Sequence, residues 1–335
     1  MTNRIPLIRA GALIPMMRWM TANRLPVENF LREVDLGYAT FVDPNQPIPL
    51  RNTAQLFVNV SKTEGPDVCC KIVSDASIRD LALIGRVVLG TTTPRAALER
   101  VAVMMPYHCS HEILTIQPVR DGILVGEGWS TRLDDIHLHT IHQFFASIIR
   151  SICSMTLAPE PLLERIEIVP HPDFGLAHLQ KWFPVAPVAS KTHFLKISIK
   201  APVADRRFFK IARDRTDGRL PPEAQPLMGD GRLSSSAKTV LALLLLDGTP
   251  TIDQLATSAG LSRRTLQRQL AAEDTSFSDL LEEVRLETAL QQFEKGNGSL
   301  DNVAAKLGYA RQSTLTRAVR RWTGQTPSSL RRDHD

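Results

Sequence analysis

The chain lacks any run of about 18 apolar residues, the least that a membrane-crossing helix needs. Its amino-terminal stretch is interrupted by Pro6 and Pro15 and charged at Arg4, Arg9 and Arg18, which defeats a secretory signal as well as a span. Cysteine is scarce: Cys69, Cys70, Cys109 and Cys153 show no C-x-x-C spacing, and the adjacent pair would form a strained bridge, so reduced thiols buried as small apolar groups are expected. These absences point to a soluble, unexported, cytoplasmic protein with no membrane partner. The formal charge of +5 spread over 335 residues leans toward polyanionic partners, but where the charge sits matters more than its sum.

That length exceeds one compact domain of ordinary size, so two are expected. Residues 1–214 alternate helical and strand patterns. Leu13 to Val34 has helical spacing divided by Pro15 and Pro26. Glu112–Gln117 and Ile123–Gly126 alternate apolar and polar residues around Asp121-Gly122, which reads as a hairpin with a positive-φ turn. Asp134–Met155 reads as a helix, and Arg165–Val169 and Phe194–Ile199 read as further strands, so this domain is α+β. Residues 215–234, with Pro221, Pro222, Pro226 and several glycines, read as a linker. Residues 235–335 are expected to be all-α, with Ser236 capping the first helix, which stops at Asp247-Gly248.

Within that last segment one pattern occurs twice. Thr251-Ile-Asp-Gln254 is a capping box; Gly260 provides a left-handed turn, Ser262 caps the next helix, and Leu266 and Leu270 face inward. The second copy starts at Ser299, with Ala304 four residues before Gly308 as Ala256 is before Gly260, and with Leu315 and Val319 inward; it is one residue longer after the glycine. Two helix-turn-helix units, joined by one long helix that Ser276 caps and that runs from Phe277 to about Glu294, follow from this reading. The outward side chains suit base edges in a major groove, where arginine pairs with guanine and glutamine with adenine. These are Arg264, Gln267 and Arg268 in the first unit, and Gln312, Ser313, Thr316 and Arg317 in the second. From 302 to 332 the chain carries seven Lys or Arg and no Asp or Glu, and Arg311, Arg320, Arg321 and Arg331, with Arg263 of the first unit, are candidate phosphate contacts. The joining helix would span roughly 27 Å at about 1.5 Å per residue, against roughly 34 Å for one turn of DNA. A lone helix-turn-helix also occurs in helical scaffolds, and an Arg-rich face is commonly just solvated; a repeat combined with an acid-free stretch weighs against both.

Val303-Ala-Ala-Lys-Leu-Gly-Tyr309 and Ser313 through Arg331, within residues 235–332, resemble the signature of the AraC/XylS family of bacterial transcription regulators. The resemblance implies a bipartite seven-helix DNA-binding domain, acting near a promoter as activator or repressor and contacting RNA polymerase, and it places the family's base-reading positions on the seven residues just named. Leu315 and Val319 replace commoner aromatics, and Ala310 replaces a usual polar cap. His171-Pro172, Phe174-Gly175, Phe194 and Leu195 are similar to the amino-terminal effector domain of one branch, which includes regulators of ornithine use and virulence; that likeness implies a small-molecule effector, which it does not identify, and homodimerisation.

Rival chemistry was weighed on the same residues. His137-x-His139-x-x-His142, near Asp134 and Asp135, has no supporting ligand at metal-site spacing, so no metal or other cofactor is expected. His108-Cys109-x-His111 could form an activated thiol, but a structural cysteine at a strand entrance is the stronger reading. A DNA-alkylation repair methyltransferase with an AraC-type domain would show Pro-Cys-His-Arg, which does not occur. A ligand-independent DNA binder would need no 200-residue front domain. No catalytic residue is assigned, and the chain is not expected to be an enzyme.

Overall fold

The computed structural model describes residues 4–74, 77–209, 225–294 and 299–332, without the side chains of Ser328, Arg331 and Arg332. The fold divides into two compact units. The amino-terminal unit comprises Pro6–Val34 and Val42–Met228; the other comprises Gly229 onward together with Arg4, Ile5 and Asp35–Phe41. The sequence reading kept all of residues 1–214 in one domain, but the short inserts cannot be seen as a change of composition. Much of the expected linker, up to residue 224, lies outside the described residues, and the first helix after it starts at Leu233.

In the amino-terminal unit, β1 (Leu7–Arg9) pairs antiparallel with β2 (Pro47–Pro49), and between them lie α1 (Ile14–Ala22) and α2 (Val27–Arg32). Pro15 sits in the first turn of α1 and Pro26 immediately precedes α2, where a missing N–H costs nothing. Helices α3 (Leu50–Glu64), α4 (Val68–Ile72), α5 (Ser77–Asp80), α6 (Leu83–Leu89) and α7 (Pro94–His108) lead into the hairpin of β3 (Glu112–Val119) and β4 (Gly122–Trp129). Then come α8 (Asp135–Ser154), β5 (Arg165–Ile168), β6 (Val188–Ala189), β7 (Leu195–Lys200) and α9 (Ala201–Ala204). The sheet order is β3-β4-β7-β5-β6, antiparallel except for β5 with β6. Alternate residues of three strands, Ile123 and Val125, Ile166 and Ile168, and Leu195, Ile197 and Ile199, are buried as period-two strands require. Long helix α8 packs on α3, with Phe57 and Phe144 meeting edge to face at 5.3 Å.

The hairpin forms, but Gly122 is not its turn. It pairs with Val119 as the first residue of β4, and a Cβ there would come within 2.0 Å of the Ile199 carbonyl oxygen. Glycine is needed because β7 approaches closely, a contact 77 residues away that no local pattern announces.

The carboxyl-terminal unit is helical: α10 (Leu233–Asp247), α11 (Ile252–Ala259), α12 (Arg263–Ala271), α13 (Phe277–Glu294), α14 (Leu300–Lys306), α15 (Gln312–Thr323) and α16 (Pro327–Arg332). Ser236 does not cap α10. It lies inside the helix, where its hydroxyl donates to the Leu233 carbonyl and accepts the Ile5 N–H at 2.9 Å. The cap comes instead from Glu273, whose two carboxylate oxygens accept the N–H groups of Leu233 and Ser234 at 2.8 and 2.9 Å. The insert 35–41 is tied to the same unit: Tyr38 N–H donates to Asp247 at 2.9 Å, Gln254 donates to Asp35 at 2.8 Å, and the Tyr38 ring is fully buried.

Candidate nucleic-acid interface

Two helix pairs, α11/α12 and α14/α15, close by the same local device. Thr251 and Gln254 form the reciprocal capping box at the start of α11, and the Ser299 hydroxyl accepts the Asn302 N–H at the start of α14. Gly260 adopts φ 65°, ψ 32°, and Gly308 has φ 71°. After each glycine the next N–H reaches back to the alanine four residues before it: Leu261 to Ala256 at 3.0 Å, and Tyr309 to Ala304 at 2.9 Å. This is the hydrogen bond that ends a helix on a left-handed residue, and it turns the chain into the second helix of each pair. Ser262 then caps α12 by accepting the Thr265 N–H at 3.2 Å. In the second pair the extra residue makes Arg311 the N-cap of α15, and its side chain makes no cap hydrogen bond.

The buried faces of α12 and α15 fix what is left outward. Leu266 and Leu270 are fully buried on α12; Leu315, Ala318 and Val319 are buried on α15, Leu315 and Val319 in a cluster with Ala289, Phe293, Val303, Ala304 and Leu307. Arg264, Gln267 and Arg268 are exposed along one side of α12. On α15, Ser313 and Arg317 are exposed, while Gln312 and Thr316 are half-buried and the Thr316 hydroxyl donates to the Gln312 carbonyl at 3.1 Å. Arg317 Nε lies 3.4 Å from the Ser313 carbonyl, which holds the side chain along the helix and leaves the rest of the guanidinium free to donate elsewhere.

The candidate phosphate residues divide by their partners. Arg311 and Arg320 are exposed. Arg263 is exposed with Asp253 at 4.0 Å, a loose pair. Arg321 is held by Glu282 of α13 at 2.7 Å, and the same carboxylate takes the Trp322 indole N–H at 3.3 Å. The side chain of Arg331 lies outside the described residues. The acid-free stretch is therefore acid-free in sequence but has a carboxylate beside it in space.

Sequence reasoning missed Glu273 and Glu282, which fasten α12 to α10 and α15 to α13. Glu273 follows α12 and binds the start of α10, with Arg232 3.6 Å away. Burial works to raise its carboxyl, but hydrogen bonds from Ser234 and Leu233 and the Arg232 charge outweigh burial, so it lies below the usual carboxylate range. Neither residue has a local signal, because the partners stand about 40 positions away.

The three histidines of the His137-x-His139-x-x-His142 pattern take different partners, and His139 Nε2 also lies 3.0 Å from His178 Nε2. His137 bonds Asp134 at 2.5 Å and Gln55 at 3.1 Å; His139 donates from Nδ1 to the Val169 carbonyl at 2.6 Å; His142 faces Glu127 at 3.2 Å. Among the described residues no group of three or more His, Cys, Asp or Glu is arranged to hold a metal. Cys109 is buried, and burial first, then the neighbouring Glu112, push its thiol well above the ordinary value, the reverse of an activated nucleophile. His171 and Gly175 bridge across a short turn in which His171 Nδ1 accepts the Asp173 N–H at 3.0 Å. Among the described residues no helix is long and apolar enough to cross a membrane.

Residues 255–333 match a family model described as a helix-turn-helix domain. The segment is similar to AraC-type helix-turn-helix domains, and the similar proteins are named as transcriptional regulators. The chain is 37% identical over 109 residues to the HTH-type transcriptional regulator VirS of Mycobacterium tuberculosis, a match covering 32% of each protein. It thus matches only about a third of that relative's length. It is 26% identical over 276 residues to the HTH-type transcriptional regulator Rv1395 of the same organism, covering 76% of each. It is 35% identical over 82 residues to the ornithine utilization regulator of Pseudomonas aeruginosa, covering 24% of each.

Proposed function

We propose that this protein is a sequence-specific transcription regulator that lays α12 and α15 into adjacent major grooves of a promoter duplex. One observation carries the reading: two similarly closed turns, each followed by a helix whose inner face is apolar and whose outer face bears Arg and Gln. Helix α13, about 27 Å long, is the rigid spacer that would set the two readers roughly one DNA turn apart. In this reading Arg264, Gln267, Arg268, Gln312, Ser313, Thr316 and Arg317 contact bases. Arg311 and Arg320, with Arg263, Arg321 and Arg331 as further contacts, neutralise phosphates. The amino-terminal unit senses a small-molecule effector and supplies a homodimer contact, and the bound protein engages RNA polymerase as an activator.

The experiment is selection of bound duplexes from a random pool by the full chain. The expected result is enrichment of a motif with two conserved blocks about one helical turn apart. A pool that stays random while the protein retains salt-sensitive binding would reject base reading, and a single short block would reject the second reader.

A further inference from the structure

The largely apolar interior of the amino-terminal unit contains a cavity of about 100 Å³ between α3, α7, α8 and the β3–β4 hairpin. Its walls are mainly aliphatic and aromatic, including Phe57, Met105, Phe144 and Ile149. Besides Thr53, whose hydroxyl donates to the Pro49 carbonyl at 3.0 Å, three polar groups break that lining: Glu112, His108 and Trp129. Glu112 Oε1, His108 Nδ1 and Trp129 Nε1 are each buried and make no hydrogen bond among the described residues. They come together for reasons of topology. Glu112 and Trp129 are directly paired across β3 and β4, so their side chains share a face, and His108 ends α7 four residues before Glu112. A lone buried polar atom without a partner is costly; three around one apolar cavity describe the complement of a ligand head group.

We propose that this cavity is the effector site, and that it takes an uncharged, ring-sized apolar molecule bearing one hydroxyl, with Trp129 Nε1 donating to the hydroxyl oxygen and Glu112 or His108 accepting its proton. The inference rests on the ligand-responsive reading above. Size sets the body: an engineered apolar cavity of about 150 Å³ in another protein binds benzene, so this smaller one takes a single ring only as its walls yield slightly, and nothing larger. Charge sets the head. Burial first, then the nearby Glu127, raise the Glu112 carboxyl well above its ordinary value, which favours its neutral form. Burial, aided by Arg9, lowers His108 to about 4, so it is neutral. A carboxylate ligand would bring a charge into an apolar cavity whose lining holds no Lys or Arg to pair with it. An ammonium ligand cannot accept from Trp129, whereas a hydroxyl answers a donor and an acceptor at once.

The test is thermal shift and calorimetric titration of the full chain with four probes of similar size: phenol, toluene, benzylamine and benzoate. Phenol should bind and raise the first transition in a concentration-dependent way, with toluene at least tenfold weaker because it leaves the polar atoms unpaired. Glu112→Gln should keep phenol binding, and Glu112→Leu with Trp129→Phe should erase the preference for phenol over toluene. Equal binding of toluene and phenol would reduce the site to a plain apolar void. Tighter binding of benzylamine or benzoate, or no binding of any probe, would overturn the assignment, as would phenol binding left unchanged in the double variant. Duplex binding measured on the same samples separates the two readings: intact DNA selection without phenol binding sinks the cavity alone, and phenol binding without DNA selection sinks the regulator.

Discussion

Arg268 and Arg317 stand at equivalent places on α12 and α15, each exposed and two residues after a buried leucine, Leu266 or Leu315. Substituting either by alanine should weaken binding to a selected duplex by about 1–3 kcal/mol and leave binding to scrambled DNA nearly unchanged, as lost base contacts do. A titration on both duplexes at one salt concentration checks this; equal loss on the two would assign the residue to phosphates. The outward placement of these side chains was legible in the sequence, because Leu266/Leu270 and Leu315/Val319 define an inner face by spacing alone. The pairing of Arg321 with Glu282 was not, since 39 residues and a folded core separate the two. A second residue-level test concerns His108, whose value of about 4 lies below that of an unfolded histidine. A depressed histidine gives stability that is complete above the unfolded value and is lost as pH falls toward the folded one. About 2 kcal/mol from this residue should therefore disappear between pH 7 and pH 5, and His108→Phe should remove that share of the dependence while leaving the share of His139, which burial also depresses. Denaturant unfolding followed by tryptophan fluorescence would show it, because Trp19, Trp129 and Trp182 all lie in the amino-terminal unit.

At the level of elements, caps and turns decide how the reading helices are held. Glu273 joins the end of α12 to the start of α10 through two backbone N–H groups, replacing the serine cap that local sequence suggested. Glu273→Ala should destabilise the carboxyl-terminal unit by about 1–2 kcal/mol, the usual range for a lost helix cap. Its carboxyl lies below the ordinary range, so this contribution is present at neutral pH and is lost as pH falls through the folded value. Thermal unfolding of the variant and the parent should then converge in acid, and a gap that persisted would mean that packing, and not the charged cap, is what Glu273 provides. The helices themselves were readable from period and punctuation: Ser276 caps α13 by accepting the Asp279 N–H at 3.2 Å, as its position implied. The reading failed where a distant strand or helix decides the role of a residue, as at Gly122 and Ser236.

For the whole molecule, two domains were expected from length and a proline- and glycine-rich stretch at 215–234, and the two compact units divide at Met228–Gly229. What composition could not show is that Ile5 and Tyr38, from far upstream, belong to the later unit, since a seven-residue insert carries no periodic signal. Tyr38→Ala in the full chain should lower the stability of the carboxyl-terminal unit by about 3–5 kcal/mol, the range for removing a buried aromatic. Faster hydrogen exchange along α10, with the β3–β4 hairpin unaffected, is the expected observation; unchanged exchange there would show the ring to be dispensable.

That borrowed segment bears on any attempt to splice this carboxyl-terminal unit onto a foreign amino-terminal one. A chimera joined at the proline-rich stretch would inherit α10 without the tyrosine that covers it, or would receive a foreign residue in its place. Transplanting residues 35–41 together with the distal helices should rescue such hybrids, which makes the functional module of this protein discontinuous in its own gene.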